Sequence, residues 1–197
     1  MNRTITALLL ALSSFVNAQQ VITKTYTIAP HTSLEGADLS GEDLSNLNLS
    51  FCNLVRANLS GAVLHGANLE GTIMEGANLE GANLEGANLS NAQLIDTNFL
   101  GTNLSGVKFS HSSLTYANLI QVNLTNADLS STDLRSADLF DSNLLSANLE
   151  GASLINANLF DAKLTCLKGC PLDLPEDYIC ESDLDCEEQD RFRIVEE

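Results

Sequence analysis

Apolar residues return at every fifth position from Leu34 to Leu164. The register has 27 places; 24 hold Leu, and the others hold Met74, Phe99 and Phe109. A period of five suits neither regular element. Five residues at ~100° each turn a helix by ~500°, which scatters the leucines around it. In a flat strand an odd spacing throws them onto alternate faces. The pattern is satisfied if the chain turns a corner once per five residues and brings each leucine back to one axis. It predicts a wound coil with a leucine-filled interior.

The residue two before each leucine agrees. Of the 26 such places from Ala37 to Ala162, 15 hold Ala. Most of the rest are small, among them Cys52, Thr72, Thr97, Thr102, Val107, Ser112, Thr132 and Ser142. Residues two apart on an extended chain point the same way, so a large Leu and a small Ala enter the interior together. The residue before the leucine is mostly Asn or Asp and is expected to point out. A variable residue and often Gly follow, as in Ala77-Asn78-Leu79-Glu80-Gly81. Gly and Asn accept left-handed backbone readily and suit a corner. Glu42 and Leu47 stand at inward small places, which predicts an irregular first coil. Phe99 and Phe109 lie two repeats apart, with Thr97, Thr102, Val107 and Ser112 around them, which predicts a slightly wider coil there.

Runs such as ANLEG, ADLSG and ANLSN resemble the pentapeptide-repeat family, A(D/N)LXX, over roughly two thirds of the chain. The resemblance implies an all-β fold, a right-handed quadrilateral β-helix in which four repeats make one square coil. Residues 34–165 would then wind about six and a half coils, a rod of roughly 30 Å at ~4.8 Å per coil. Residues 19–33 alternate apolar and polar, as in Val21, Thr23 and Thr25 against Ile22, Tyr26 and Ile28, and read as a strand capping the first coil. Residues 166–197 read as a Cys-rich acidic cap and tail. Such caps cover the strand edges and core leucines of an open coil end.

Residues 1–18 read as a targeting segment. Arg3 gives a positive start, Ile5 to Val16 is mostly apolar, and Val16-Asn17-Ala18 fits a cleavage site before Gln19. The run is short for a membrane span. The expectation is export to a periplasm, an extracellular space or an organelle lumen, soluble after cleavage. An oxidising compartment makes two disulfides of Cys166, Cys170, Cys180 and Cys186. Three pairings are open. The CPLDLPEDYIC stretch resembles a disulfide-closed loop of exported repeat proteins, which implies Cys170–Cys180 with Cys166–Cys186. The spacings match no common zinc finger. Cys52, at an inward place, reads as a buried free thiol.

Charge narrows the partners. The formal net charge is −17. Loss of Arg3 with the leader makes it −18, with −11 on residues 34–165 and −8 on 166–197. Such a surface repels nucleic acid and anionic membranes, so neither is expected as a ligand. Asp183, Asp185 and Glu187 alternate as calcium ligands do, but no glycine-bearing loop follows. No catalytic set is evident: His31, His65 and His111 are scattered, and no cofactor or small-molecule site is expected. Glu70, Glu75, Glu80 and Glu85 would leave a four-repeat coil by four different faces, too far apart for paired acid–base work.

One outward series stands apart. Leu100, Ile120, Phe140 and Phe160 recur at twenty residues, each after a register residue; Ser40, Ser60 and Glu80 hold the same place earlier. The expectation is a solvent-side apolar ladder, open to a protein partner, to self-association or to the chain's own tail, with Ile95, Leu145 and Ile155 widening it. It equally suits a stack that stabilises the rod. The sequence reading is therefore a non-enzymatic exported scaffold for protein interaction or a structural role. The alternative, implied by other family members, is an acidic DNA mimic that inhibits DNA gyrase; the leader argues against it, because gyrase is cytoplasmic.

Overall fold

The computed structural model describes residues 3–10 and 21–175. Two regular strands come first, β1 (Arg3–Leu10) and β2 (Val21–Ile28), paired antiparallel from Arg3↔Ile28 to Leu10↔Val21. β2 falls inside the segment expected to be a strand, and its last residue, Ile28, is buried and joins the core. β1 falls inside the expected leader, so in the whole chain those residues do have a structural place. Cleavage before Gln19 would remove β1 and leave β2 without that neighbour.

Beyond Ile28 the chain winds. Each residue preceding a register leucine bridges in parallel to the residue twenty further on, from Ser33↔Asn53 to Ser153↔Asp173. Twenty residues, or four repeats, therefore make one turn. The four faces are marked by Leu34, Leu39, Leu44 and Leu49, and each is continued by every twentieth residue. The pairing runs on past residue 165, through Asn148↔Lys168 and Ser153↔Asp173.

Every corner is made alike. The second residue after each register position has φ between 53° and 69°, from Gly36 to Cys166, and His31 before them has the same backbone. Its N–H donates to a carbonyl of the next coil, as Gly81 does to Leu100 at 2.9 Å. The N–H of the following residue donates back to the register carbonyl, as Ala82 does to Leu79 at 2.9 Å. Backbone groups that a corner would otherwise strand are thus satisfied within and between coils.

The axis is leucine, as the period requires. All register residues from Leu34 to Leu164 are buried. Phe99 and Phe109 enter from opposite faces of one coil and meet edge to face, with ring centroids 6.0 Å apart and planes at 84°. Hydroxyls at inward places reach backbone carbonyls. Thr97 donates to Met74 and Thr102 to Leu79 in the coil below, both at 2.9 Å. Ser112 donates to Phe109 at 2.6 Å. Ser142 is the exception among the described residues: its Oγ is buried without a partner.

The first coil corrects an expectation. Its corners and bridges are as regular as the rest, despite Glu42 and Leu47 at small inward places. Both are half-buried. They belong to the end coil, where among the described residues no earlier turn of the helix bridges to them, so large side chains fit without disturbing the backbone.

Candidate functional site

The outward surface is built from three columns on each face, and side chains hold two of them together. Asn or Asp before the register leucine turns its Oδ1 back to the backbone N–H two residues on, as Asn98 does for Leu100 at 3.1 Å. This local turn fixes the side chain at the face. Its amide then donates to the residue one coil earlier. On the second face Asn58 donates to Asp38 at 3.0 Å, Asn98 to Asn78 at 2.9 Å and Asn118 to Asn98 at 2.9 Å. Shorter series run on the third face, Asn123 to Asn103 to Asn83, and on the fourth, Asn88 to Asn68 to Asn48.

On this frame the second face carries the apolar series. The N–H groups of Leu100, Ile120, Phe140 and Phe160 are each held by the Oδ1 two residues before, at 3.1–3.2 Å. Their carbonyls tie successive coils: Gln121 donates to Phe140 at 2.9 Å and Asp141 to Phe160 at 3.1 Å. The four side chains therefore form one column in the order expected. Phe140 and Phe160 stack, with centroids 5.9 Å apart and planes at 7°. Leu100, Ile120 and Phe140 are half-buried, while Phe160 at the end of the stack is 59 % exposed. Leu145 and Ile155 are exposed on the neighbouring faces, and Ile95 is half-buried. Carboxylates edge the column: Asp138 on one side, Asp141 and Asp161 on the other. Asp138 accepts from the N–H of Phe140 and from the Asn158 amide, and Asp141 accepts from Gln121 at 3.2 Å.

Other sequence candidates are dispersed. Glu70, Glu75, Glu80 and Glu85 lie on four different faces, as expected. Among the described residues no group of His, Cys, Asp and Glu is placed to hold a metal ion. Asp183, Asp185 and Glu187 lie outside the described residues, as do Cys180 and Cys186. Cys166 and Cys170 are disulfide-bonded in the structure. Cys52 is buried, its Sγ 3.1 Å from the Ala29 carbonyl, and burial raises its thiol pKa. That is the setting of an inert packing thiol.

Two features have no warning in the leucine register. His31 and Phe51, one coil apart at a corner, stack with centroids 5.1 Å apart, and the Phe51 ring lies over Gly71. A shallow groove of about 190 Å³ opens where Gly76 leaves a gap between Arg56 and Asp96, walled by Val55 and Ile95. Its charged groups belong to one exposed corner and do not converge.

Asp133 and Arg135 form an exposed ion pair at 2.7 Å on the first face. The Arg135 hydrogen bond lowers the Asp133 pKa, and that of Asp38 is lowered by the Ser40 hydroxyl. Among the described residues no helix is long and apolar enough to cross a membrane.

The family model described as pentapeptide repeats matches in 8 copies, over residues 43–81, 72–110, 102–141 and 132–166. Known structures of that family are right-handed quadrilateral β-helices. No curated protein matches the chain. Among solved structures, HetL, a pentapeptide repeat protein involved in heterocyst differentiation regulation from the cyanobacterium Nostoc, is 27% identical. That match covers 71% of this chain and 85% of HetL, with a TM-score of 0.32. A pentapeptide repeat protein of the Arabidopsis thaliana thylakoid lumen is 29% identical over 58% of this chain and 70% of its own, with a TM-score of 0.30. Full-length QnrB1, a plasmid-mediated fluoroquinolone resistance protein, is 22% identical over 72% and 81%, with a TM-score of 0.31.

Proposed function

The chain belongs to the pentapeptide-repeat family, generally non-catalytic scaffolds, and from that premise we propose an exported scaffold that docks another protein along the Leu100–Phe160 column. The carrying observation is the column itself. Polar residues hold the same place in the earlier coils, whereas four successive coils here present Leu, Ile, Phe and Phe, ending on a ring 59 % exposed. An apolar strip rimmed by polar residues is a usual mark of an interaction surface. Export rests on the leader-like start, with cleavage before Gln19. The four tail cysteines would then pair as Cys170–Cys180 and Cys166–Cys186, closing the C-terminal end of the rod.

The acidic surface also suits the DNA-mimic alternative. The leader directs the chain away from the cytoplasm, where gyrase works, so the exported scaffold is the reading adopted.

Three measurements test the parts. Intact mass of native protein should give a chain starting at Gln19; full-length protein recovered from cytoplasm would defeat export and revive the alternative. Non-reducing digestion should yield linked tail peptides and an unlinked Cys52. Affinity capture from the exported compartment should recover a partner with the parent chain and lose it with Phe140→Ser. Equal recovery by both would reduce the column to a structural stack.

A further inference from the structure

We propose that the column from Leu100 to Phe160 receives an amphipathic helix of a protein partner, its apolar stripe edged by Lys or Arg. This rests on the docking reading above and names the chemistry of the partner.

Spacing is the first argument. Coils stack at ~4.8 Å, so the column offers an apolar side chain at each such step. A helix lying along the rod presents side chains one turn, or ~5.4 Å, apart. The mismatch is about 0.6 Å per step and about 2 Å over three steps, less than half a coil. An extended strand in the same place presents side chains about 6.6 Å apart on one side. It falls out of step by about 5 Å over the same length, a whole coil. About ten helical residues, near 15 Å, cover the column.

Charge is the second. The column is edged by Asp138 along one side and by Asp141 and Asp161 along the other. Asp141 and Asp161 are exposed, and both sit at corners that project beside Phe140 and Phe160. A helix whose stripe is bordered by basic residues places cations over these edges, while an acidic helix meets repulsion there. Lys163, exposed on the third face two residues from Asp161, leaves that edge mixed in sign at its far end. Basic pairing is therefore expected chiefly at Asp138 and Asp141. Bulk grows along the column, from Leu100 and Ile120 to Phe140 and Phe160. The stacked phenyl pair puts the two bulkiest side chains of the column together, and it lies beside those two carboxylates.

Three labelled synthetic 14-residue peptides test this against the full processed chain. One has Leu and Lys at helical period, one has the same composition at alternating period, and one has Leu and Glu at helical period. The helical Leu–Lys peptide should bind roughly tenfold more tightly than either of the others. Phe140→Ser and Phe160→Ser should each weaken it roughly tenfold. Asp138→Asn with Asp141→Asn should weaken it roughly threefold and flatten its salt dependence. Glu70→Gln, on the opposite face, should change nothing. Phe160→Ser keeps the test usable if Phe140→Ser unfolds.

Equal binding of the two Leu–Lys peptides, or undiminished binding by both Phe variants, overturns the helix and leaves general attraction to an acidic rod. A dimer dissolved by Phe160→Ser in the absence of peptide puts a second copy on the column and also overturns it. Cross-links from residues 176–197 to the column in the free chain do so in favour of the tail. If the peptides fail but Phe140→Ser still loses the captured partner, the helix falls and docking stands. If capture is unaffected as well, both fall.

Discussion

From Gly61 to Gly106 eight of ten corners are glycine; from His111 to Ser146 none of eight is. Yet φ at these corners is the same in both stretches, near 60°. A side chain on left-handed backbone costs roughly 1–2 kcal/mol, less for Asn and Asp. The later coils accept that cost at His111, Tyr116, Gln121, Ser131, Ser136 and Ser146. They gain edges that project, such as Tyr116, which is 62 % exposed. The second face turns from Ser and Glu to apolar residues at Leu100, late in the glycine stretch, and carries Ile120 and Phe140 through the later one. The interior hardly changes: Leu79 and Leu139 are equally buried. The two stretches thus share one scaffold and differ in how much backbone comfort is exchanged for surface.

The strongest test of a shared interior is to damage it in both stretches. Leu79→Ser and Leu139→Ser each leave a hydroxyl and a cavity in the axis and should each lose about 3–5 kcal/mol in denaturant unfolding. Losses differing by more than about 2 kcal/mol would mean that the axis is not equivalent along the rod. Phe140→Ser, one residue further on, should lose well under 3 kcal/mol, because a half-buried outward ring leaves no closed cavity. Equal damage at residues 139 and 140 would mean that Phe140 is covered.

Glycine corners give the next effect. Gly81→Ala meets no neighbour within 4 Å, so its loss should be the backbone strain alone, about 1–2 kcal/mol. Gly71→Ala carries the same strain and also displaces the Phe51 ring, which fills the space the new Cβ needs. It should lose a little more and abolish the His31–Phe51 stack, seen as a changed His31 ring shift in NMR. Two gains belong to the later coils. Ser142→Ala should stabilise by about 1 kcal/mol, since it removes a buried hydroxyl with no partner. Ser136→Gly should stabilise by a few tenths to 1 kcal/mol, relief of strain outweighing the added freedom of the unfolded chain. No gain from Ser136→Gly would show that the later corners carry no strain to relieve.

What the sequence made legible follows from where the signal repeats. The leucine axis and the small inward column recur at a fixed interval and are read directly from it, whereas the outward series at residues 100, 120, 140 and 160 becomes a column only with the four-repeat coil that the family resemblance implies. The asparagine ladders could not be read directly, although their residues were identified as outward. A bond from Asn98 to Asn78 depends on which side chains become neighbours only after a full turn, and period five alone does not contain the period of twenty. The His31–Phe51 stack was hidden for the same reason, and because His31 precedes the first register leucine. Half-burial of Leu100, Ile120 and Phe140 was also missed. A position that points outward still loses much of its surface to the identical position in the coils on either side. The regular first coil is not legible in the pattern, because large residues at small inward places read as a misfit when their position at the end of the rod is not considered.

The left-handed residue at every fifth place has a consequence for how such a chain changes length. Adding one residue would move every later leucine off the axis, so drift by single residues is closed. Adding twenty inserts a whole turn, and everything beyond keeps its compass bearing. Adding five preserves the axis but rotates all that follows by a quarter turn. A five-residue duplication between Gly81 and Leu100 would leave the protein folded while swinging its apolar column to the adjacent side, relative to β2. Direction in this molecule is therefore a matter of counting modulo twenty, and a surface can be re-aimed without a single substitution in it.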